Sequence, residues 1–220
     1  MNAHDRLPND LALDAARRPA ELLAFLNLQA GHRVAELGAL TGYTTELLAR
    51  AVGPTGVVFA QNVHVVLERF AAKPLAARLA RPVNACVVQL DRDLDDPLPD
   101  EANELDLVLI NIFYHDALWL HADRDRMNQA VFRALRPGGR YVVIDSSARP
   151  GSGIEDAIRL HRIDEDFVRN EVAQAGFELV AEGHFFRNPD DERDWNPAAK
   201  QPNRVRGSND CFVLAFARPE

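Results

Sequence analysis

The segment Leu105-Asp106-Leu107-Val108-Leu109-Ile110-Asn111 constrains this chain more than any other. Aliphatic side chains stand at almost every position, so a strand built from it is apolar on both faces. Such a strand belongs inside a sheet covered on both sides, which is the condition of a parallel sheet in an α/β protein. Shorter runs at Arg33–Leu37, Gly56–Gln61 and Arg140–Asp145 share the character, and Asn84–Leu90 reads as a further strand. Between them lie stretches with helical spacing: Arg18–Leu26, Thr44–Val52, His64–Leu79 (interrupted by Pro74) and Asp123–Leu135. Pro19 suits a first helical turn, while Gly53-Pro54 and Arg136-Pro137-Gly138-Gly139 mark helix ends. A helix over Glu165–Ala175 and strands over Phe177–Phe186 and Asp210–Ala217 complete the order. The alternation predicts an α/β fold with a seven-stranded, mostly parallel sheet and helices on both faces. No helix separates the last two strands, only the polar segment 188–209, so they are expected to pair as an antiparallel hairpin.

With 220 residues, 47% of them hydrophobic, the chain is expected to form one domain (1–220), residues 1–30 being an N-terminal helical cap. The net charge of −8 repels phosphate backbones, so nucleic acid is not an expected partner. All but two of the 25 basic residues are arginines, scattered without a polybasic block. No run approaches the ~20 apolar residues of a membrane helix, and Met1–Asp10 does not resemble a targeting signal. Cys86 and Cys211 lie in separate apolar runs and read as small buried hydrophobes in a reducing compartment. A cytoplasmic protein acting on a small molecule is the expectation, and its oligomeric state has no signal in the sequence.

The strongest local motif is Glu36-Leu37-Gly38-Ala39-Leu40-Thr41-Gly42-Tyr43, between the first strand and its helix. In doubly wound sheets ligands bind outside the carboxyl ends of the strands, and glycines at this turn allow close approach. The dinucleotide spacing G-x-G-x-x-G is absent, since Gly42 is the next glycine after Gly38. Glu36 would repel a pyrophosphate and attract a cationic amino-acid or sulfonium ligand. At these residues the chain resembles the class I S-adenosylmethionine-dependent methyltransferases, whose Rossmann-like fold opens with an acidic-hydrophobic-Gly-x-Gly-x-Gly motif. The resemblance runs from about Arg18 to Phe216 and includes Leu135-Arg136-Pro137-Gly138-Gly139. Phe113-Tyr114-His115-Asp116, Pro150-Gly151-Ser152-Gly153 and Leu160-His161-Arg162-Ile163-Asp164 resemble a bacterial subfamily of predicted methyltransferases.

The resemblance implies S-adenosylmethionine as cofactor, held by Glu36, Gly38, Ala39, Gly42, Tyr43 and Asn111. Two departures stand out. Leu40 replaces the middle glycine, and Gln61 and Asn62 replace the acidic residue that holds the ribose hydroxyls. An amide still serves as donor and acceptor there. For the adenine, spacing to Leu98-Pro99 favours Asp93 or Asp95.

Methyl transfer from a sulfonium needs a positioned acceptor and, for a hydroxyl, amine or thiol, a base. Tyr114, His115 and Asp116 follow the most apolar strand and are the catalytic candidates, with His115 as base and Asp116 either orienting it or binding a cationic acceptor. The bland alternative is a His115 that caps the following helix and a Tyr114 that packs. Asp145, His161 and Asp164 stand further on and could reach the same pocket. With His115 and Asp116 they could hold a divalent metal, but they lack a tight ligand spacing, so no metal is expected. Two rival functions remain: a non-catalytic binding module of the same fold, favoured by Leu40 and Gln61, and a nicotinamide-dependent oxidoreductase, disfavoured by the missing glycine pattern.

Overall fold

In the computed structural model, residues 5–199, 205 and 207–220 are described. The strands are β1 (Arg33–Leu37), β2 (Val57–Asn62), β3 (Val87–Asp91), β4 (Leu105–Asn111), β5 (Leu135–Ser146), β6 (Glu178–Gly183) and β7 (Cys211–Ala217). They form one seven-stranded sheet in the order β3-β2-β1-β4-β5-β7-β6. The apolar run predicted to be central is central: β4 pairs in parallel with β1 on one side and β5 on the other. β7 runs antiparallel to both β5 and β6, which places the expected hairpin at the sheet edge. Of the polar segment joining β6 to β7, residues 200–204 and 206 lie outside the described residues.

The strand period of two divides the core into two layers. Ala35, Leu37, Val108, Ile110 and Val143 face one, whereas Val34, Leu107, Leu109, Val142 and Ile144 face the other. Burying each such side chain contributes about 1.5–3 kcal/mol, and both layers require helices over them. The N-terminal cap is built from α1 (Pro8–Leu11), α2 (Asp14–Arg17) and α3 (Pro19–Leu26). Next comes α4 (Tyr43–Val52), closed by Gly53. The interruption expected at Pro74 takes the form of a widened π-turn, Leu67–Ala71, between α5 (His64–Val66) and α6 (Ala72–Leu79). Proline lacks an N–H and clashes with the carbonyl four residues back, so a wider turn upstream accommodates it.

The remaining helices are α7 (Asp116–Trp119), α8 (Arg124–Ala134), α9 (Glu155–Leu160) and α10 (Glu165–Gln174). Asp123 caps α8 by accepting from the Arg126 N–H. Three boundaries differ from expectation: β6 ends at Gly183 rather than Phe186, and two others have a visible cause. Asn84 lies in a 3₁₀ turn rather than in β3, where its side chain donates to the Arg78 carbonyl at 2.8 Å. β5 starts at Leu135, because the Pro137-Gly138 turn is taken up as a register irregularity opposite Leu105–Leu107 rather than ending the pairing. No helix among the described residues is long and apolar enough to cross a membrane.

Candidate active site

The connections leaving β1 and β4 diverge, since β1 continues to β2 on one side and β4 to β5 on the other. Such a divergence opens a crevice at the carboxyl ends of the two strands. A cavity of about 330 Å³ lies there, within the range of small-molecule sites. Glu36, Gly38, Ala39, Leu40 and Thr41 line it from β1 and its loop, Tyr43 and Thr44 from α4, and Asn111 and Ile112 from the end of β4. Arg17 arrives from the N-terminal cap, and Phe186, Asn209 and Cys211 from the C-terminal hairpin.

Opposite charges share this cavity. The Glu36 carboxyl is buried and accepts from Thr45 Oγ1 at 2.5 Å. Burial pushes its pKa up to about 7, against the pull of Thr45, Thr44 and the positive charge of Arg17. The Arg17 guanidinium stacks 4.5 Å from the centre of the Tyr43 ring, a cation–π contact. The Tyr43 hydroxyl donates to Asp14 at 2.7 Å. Asn111 Nδ2 donates to Thr44 Oγ1 at 3.3 Å.

The loop glycines serve packing. A Cβ on Gly38, whose φ is 69°, would stand 2.1 Å from the Phe113 ring. Gly42 at φ 81° would meet Arg78 at 2.8 Å, and it does not line the cavity. Leu40 adopts φ 51°, the left-handed conformation a glycine would take freely. Gln61 and Asn62 are fully buried and hold this loop rather than facing the cavity. Gln61 accepts from the Gly38 N–H at 3.0 Å and donates to the Arg92 carbonyl at 2.6 Å. Asn62 accepts from the Leu40 N–H at 2.7 Å and donates to its carbonyl at 3.2 Å. The expectation of free amides at this edge is corrected: both are consumed by backbone groups. Asp93 and Asp95 border a second hollow of about 410 Å³ with Val63, His64 and Leu120, and the two hollows share no lining residue. Asp95 also accepts from the Asp123 N–H at 2.8 Å.

His115 and Asp116 lie just past β4 and meet the end of β5. Asp145 is fully buried and accepts from the backbone N–H of His115 at 2.9 Å and of Ser146 at 2.7 Å. Its Oδ1 stands 2.7 Å from His115 Nδ1. A carboxylate only accepts, so Nδ1 carries the hydrogen and Nε2 points away from Asp145. Nε2 lies 3.3 Å from Asp116 Oδ1 and 3.2 Å from His161 Nδ1. Burial pulls the His115 pKa down, but Asp145 and then Asp116 outweigh it, and the net shift is upward. Burial raises the Asp116 pKa, with the positive charge on His115 opposing. Trp119 stacks on His161 at 5.9 Å.

Tyr114 does not join this group, a correction to the expected trio. Its side chain is buried in the core, where the hydroxyl donates to Glu171 at 2.6 Å and accepts from Asn128 at 2.9 Å. Successive residues after β4 point apart, so adjacency in sequence separates Tyr114 from His115. Asp164 caps α10 and accepts from the Gly151 N–H at 2.7 Å, away from the cluster. The sequence reading missed Arg17 and Asn209. Neither lies in a motif; each reaches the cavity from a segment remote in the chain.

No family model matches the chain. Over 117 residues it is 32% identical to the ubiquinone/menaquinone biosynthesis C-methyltransferase UbiE of Pasteurella multocida, covering 53% of this chain and 41% of that protein. It is 27% identical over 155 residues to a protein-L-isoaspartate O-methyltransferase of Rhodopseudomonas palustris, covering 69% of this chain and 60% of that one. The chain thus spans about half the length of these relatives. A SAM-dependent methyltransferase from Aquifex aeolicus superposes with a TM-score of 0.65 at 18% identity, over 94% of this chain and 96% of that one. The fold is therefore the Rossmann-like fold of the S-adenosylmethionine-dependent methyltransferases.

Proposed function

We propose that this chain transfers a methyl group from S-adenosylmethionine to a small organic acceptor. The observation that carries the reading is the Arg17–Glu36 pair in the switch-point cavity. An α-amino acid bearing a sulfonium has one carboxylate and two cationic centres. Arg17 matches the first, and Glu36 the ammonium or sulfonium. Thr44 and Asn111 supply further donors and acceptors. The residues present therefore fit the amino-acid half of the cofactor. For the ribose no side-chain carboxylate stands at the end of β2, since Gln61 and Asn62 hold the loop itself. Similarity to two curated methyltransferases supports the same reading.

When bound, the sulfonium supplies an already activated methyl group, so the protein's task is to position the acceptor and remove its proton. His115 Nε2 is the proton acceptor, with Asp145 fixing the ring and stabilising the imidazolium. Asp116 orients the acceptor beside it. The acidic balance of the chain favours a small molecule over nucleic acid.

The test is ligand linkage. S-adenosylhomocysteine at about 100 times its dissociation constant should add about 2.7 kcal/mol, a rise of roughly 5–10 °C in melting temperature. Glu36→Gln and Arg17→Ala should each remove most of it. No rise at millimolar ligand in the unaltered chain rejects the reading. A non-catalytic binding module is the second reading, favoured by the Phe113 ring over Gly38 and by the strained Leu40. Ligand binding without methyl transfer to any of a broad panel of hydroxyl, amine, thiol and carbon acceptors would support it instead.

A further inference from the structure

His115, Asp116 and His161 are brought together by the ends of β4 and α9, across 46 residues of chain. Their donor atoms form a nearly equilateral triangle. His115 Nε2 to His161 Nδ1 is 3.2 Å, His115 Nε2 to Asp116 Oδ1 is 3.3 Å, and His161 Nδ1 to Asp116 Oδ1 is 3.5 Å. With Nδ1–H of His115 given to Asp145, its Nε2 offers a lone pair beside the Asp116 carboxylate, and His161 Nδ1 adds another in its Nε2–H tautomer. In that tautomer the repulsion among the three is relieved by a positive charge between them, either a shared proton or a metal ion. The edge lengths discriminate among metals. Around a tetrahedral ion with bonds of 2.0–2.1 Å, neighbouring donors stand about 3.3–3.4 Å apart. Around an octahedral ion with the same bonds they stand about 2.9 Å apart.

We propose that His115, Asp116 and His161 bind a tetrahedral divalent cation, Zn²⁺ by its ligand chemistry, with the fourth position open. Two imidazoles and a carboxylate suit zinc. The Asp145 carboxylate behind His115 is the outer partner that metal-ligating histidines regularly have, fixing tautomer and ring orientation. His115 is buried while Asp116 and His161 are each 26% exposed, so the cluster is closed on the protein side and reachable from outside. Three protein ligands with an open fourth position is the arrangement of catalytic rather than structural zinc.

The catalytic consequence rests on the methyl-transfer reading; the binding of metal does not. With the ion in place His115 is a ligand and no longer the base. An acceptor hydroxyl or thiol that takes the fourth position gives its proton to solvent. The resulting anion attacks the methyl carbon, the carbon–sulfur bond breaks, and the electron pair stays on sulfur, which becomes a neutral thioether. Hydroxyl and thiol acceptors are thereby favoured over carbon acceptors.

The full chain, stripped with a chelator and re-equilibrated with Zn²⁺, should retain one ion per molecule by elemental analysis. Its Co²⁺ form should show the intense visible bands of four-coordinate cobalt. His161→Ala and Asp116→Asn should weaken Zn²⁺ binding by at least about tenfold, and Asp145→Asn by about 10- to 100-fold. His64→Ala, at the separate exposed histidine flanked by Asp91 and Glu68, should leave it unchanged. Melting curves of the metal-free variants establish that each is folded, and His161 is exposed enough that its variant carries the test alone if Asp145→Asn does not fold. Substoichiometric Zn²⁺ or equal affinity in His161→Ala would overturn the proposal in favour of a shared proton, and the weak bands of octahedral cobalt would overturn the tetrahedral geometry. S-adenosylhomocysteine binding is measured separately on stripped and loaded protein. Its absence counts against the methyl-transfer reading and leaves the metal result standing.

Discussion

Glu36 is a carboxylic acid placed where its ionised form is costly. Its pKa of about 7 lies above the ordinary 4.5, chiefly because burial penalises the charge. The folded chain then holds a proton on Glu36 over the interval in which the unfolded chain has lost it. Stability from this group is full below about 4.5, declines as pH rises, and is gone above about 7, a loss on the order of 3 kcal/mol. A cationic ligand requires the opposite state. Binding of S-adenosylhomocysteine should therefore strengthen as pH rises towards 7, while the ligand-free chain weakens over the same interval. Urea titrations between pH 5 and pH 8 check this against Glu36→Gln, which keeps an acceptor for Thr45 but cannot ionise. Identical pH slopes in the two proteins would show that Glu36 does not titrate there.

At the scale of elements, the β1–α4 loop is shaped by packing before it meets any ligand. Asn62 satisfies both backbone groups of Leu40, and the Phe113 ring occupies the space a side chain on Gly38 would need. Asn62→Ala should cost about 1 kcal/mol by leaving the half-buried Leu40 N–H unpaired. Gly38→Ala should cost about 2–4 kcal/mol through its positive φ and overpacking. Both losses should appear in urea denaturation without ligand; a loss confined to ligand affinity would mean that these contacts shape the cavity wall without stabilising the fold. This loop also marks what the sequence makes legible. Strands such as β4 announce themselves through continuous aliphatic residues, and Glu36, Asn111, His115 and Asp116 are found because they sit at strand ends. Side-chain direction is not announced: Gln61 and Asn62 turn into the loop and Tyr114 into the core. Of the partners from afar, Arg17 and Asn209 go unannounced, whereas His161 is named as able to reach the pocket without the geometry that brings it there. His161 reaches His115 because it ends α9 in the left-handed conformation, at φ 49°, which residue spacing does not encode.

Across the whole molecule, the N-terminal cap is tied to the body by ions rather than by apolar contact alone. Arg78 on α6 makes a two-pronged contact with Asp10 of α1, at 2.6 and 2.9 Å, and reaches Glu46 of α4 at 3.0 Å. All three side chains are at most 7% exposed. Arg6 adds a second pair with Asp14, which also holds the Tyr43 hydroxyl. These contacts carry α2 to the cavity and set Arg17 beside Tyr43 and Glu36. On the proposed reading the arrangement couples cap docking to ligand binding, since Arg17 reaches the cavity only when the cap is seated. Arg78→Ala should cost about 3–5 kcal/mol, because it leaves the Asp10 carboxylate buried without its partner, while Glu46 keeps Arg50 and Arg81. It should also weaken S-adenosylhomocysteine binding by more than its distance from the ligand suggests. Replacing Asp10 with Asn keeps the volume and removes one charge, so it should loosen the cap with a smaller loss of global stability. Proteolysis reads the coupling directly: saturating ligand should slow cleavage within residues 5–17 in the unaltered chain and far less in the Arg78 variant. If affinity stays constant in both variants while cleavage of the cap accelerates, Arg17 is dispensable to the ligand and the cap is a stabilising cover, not part of the site.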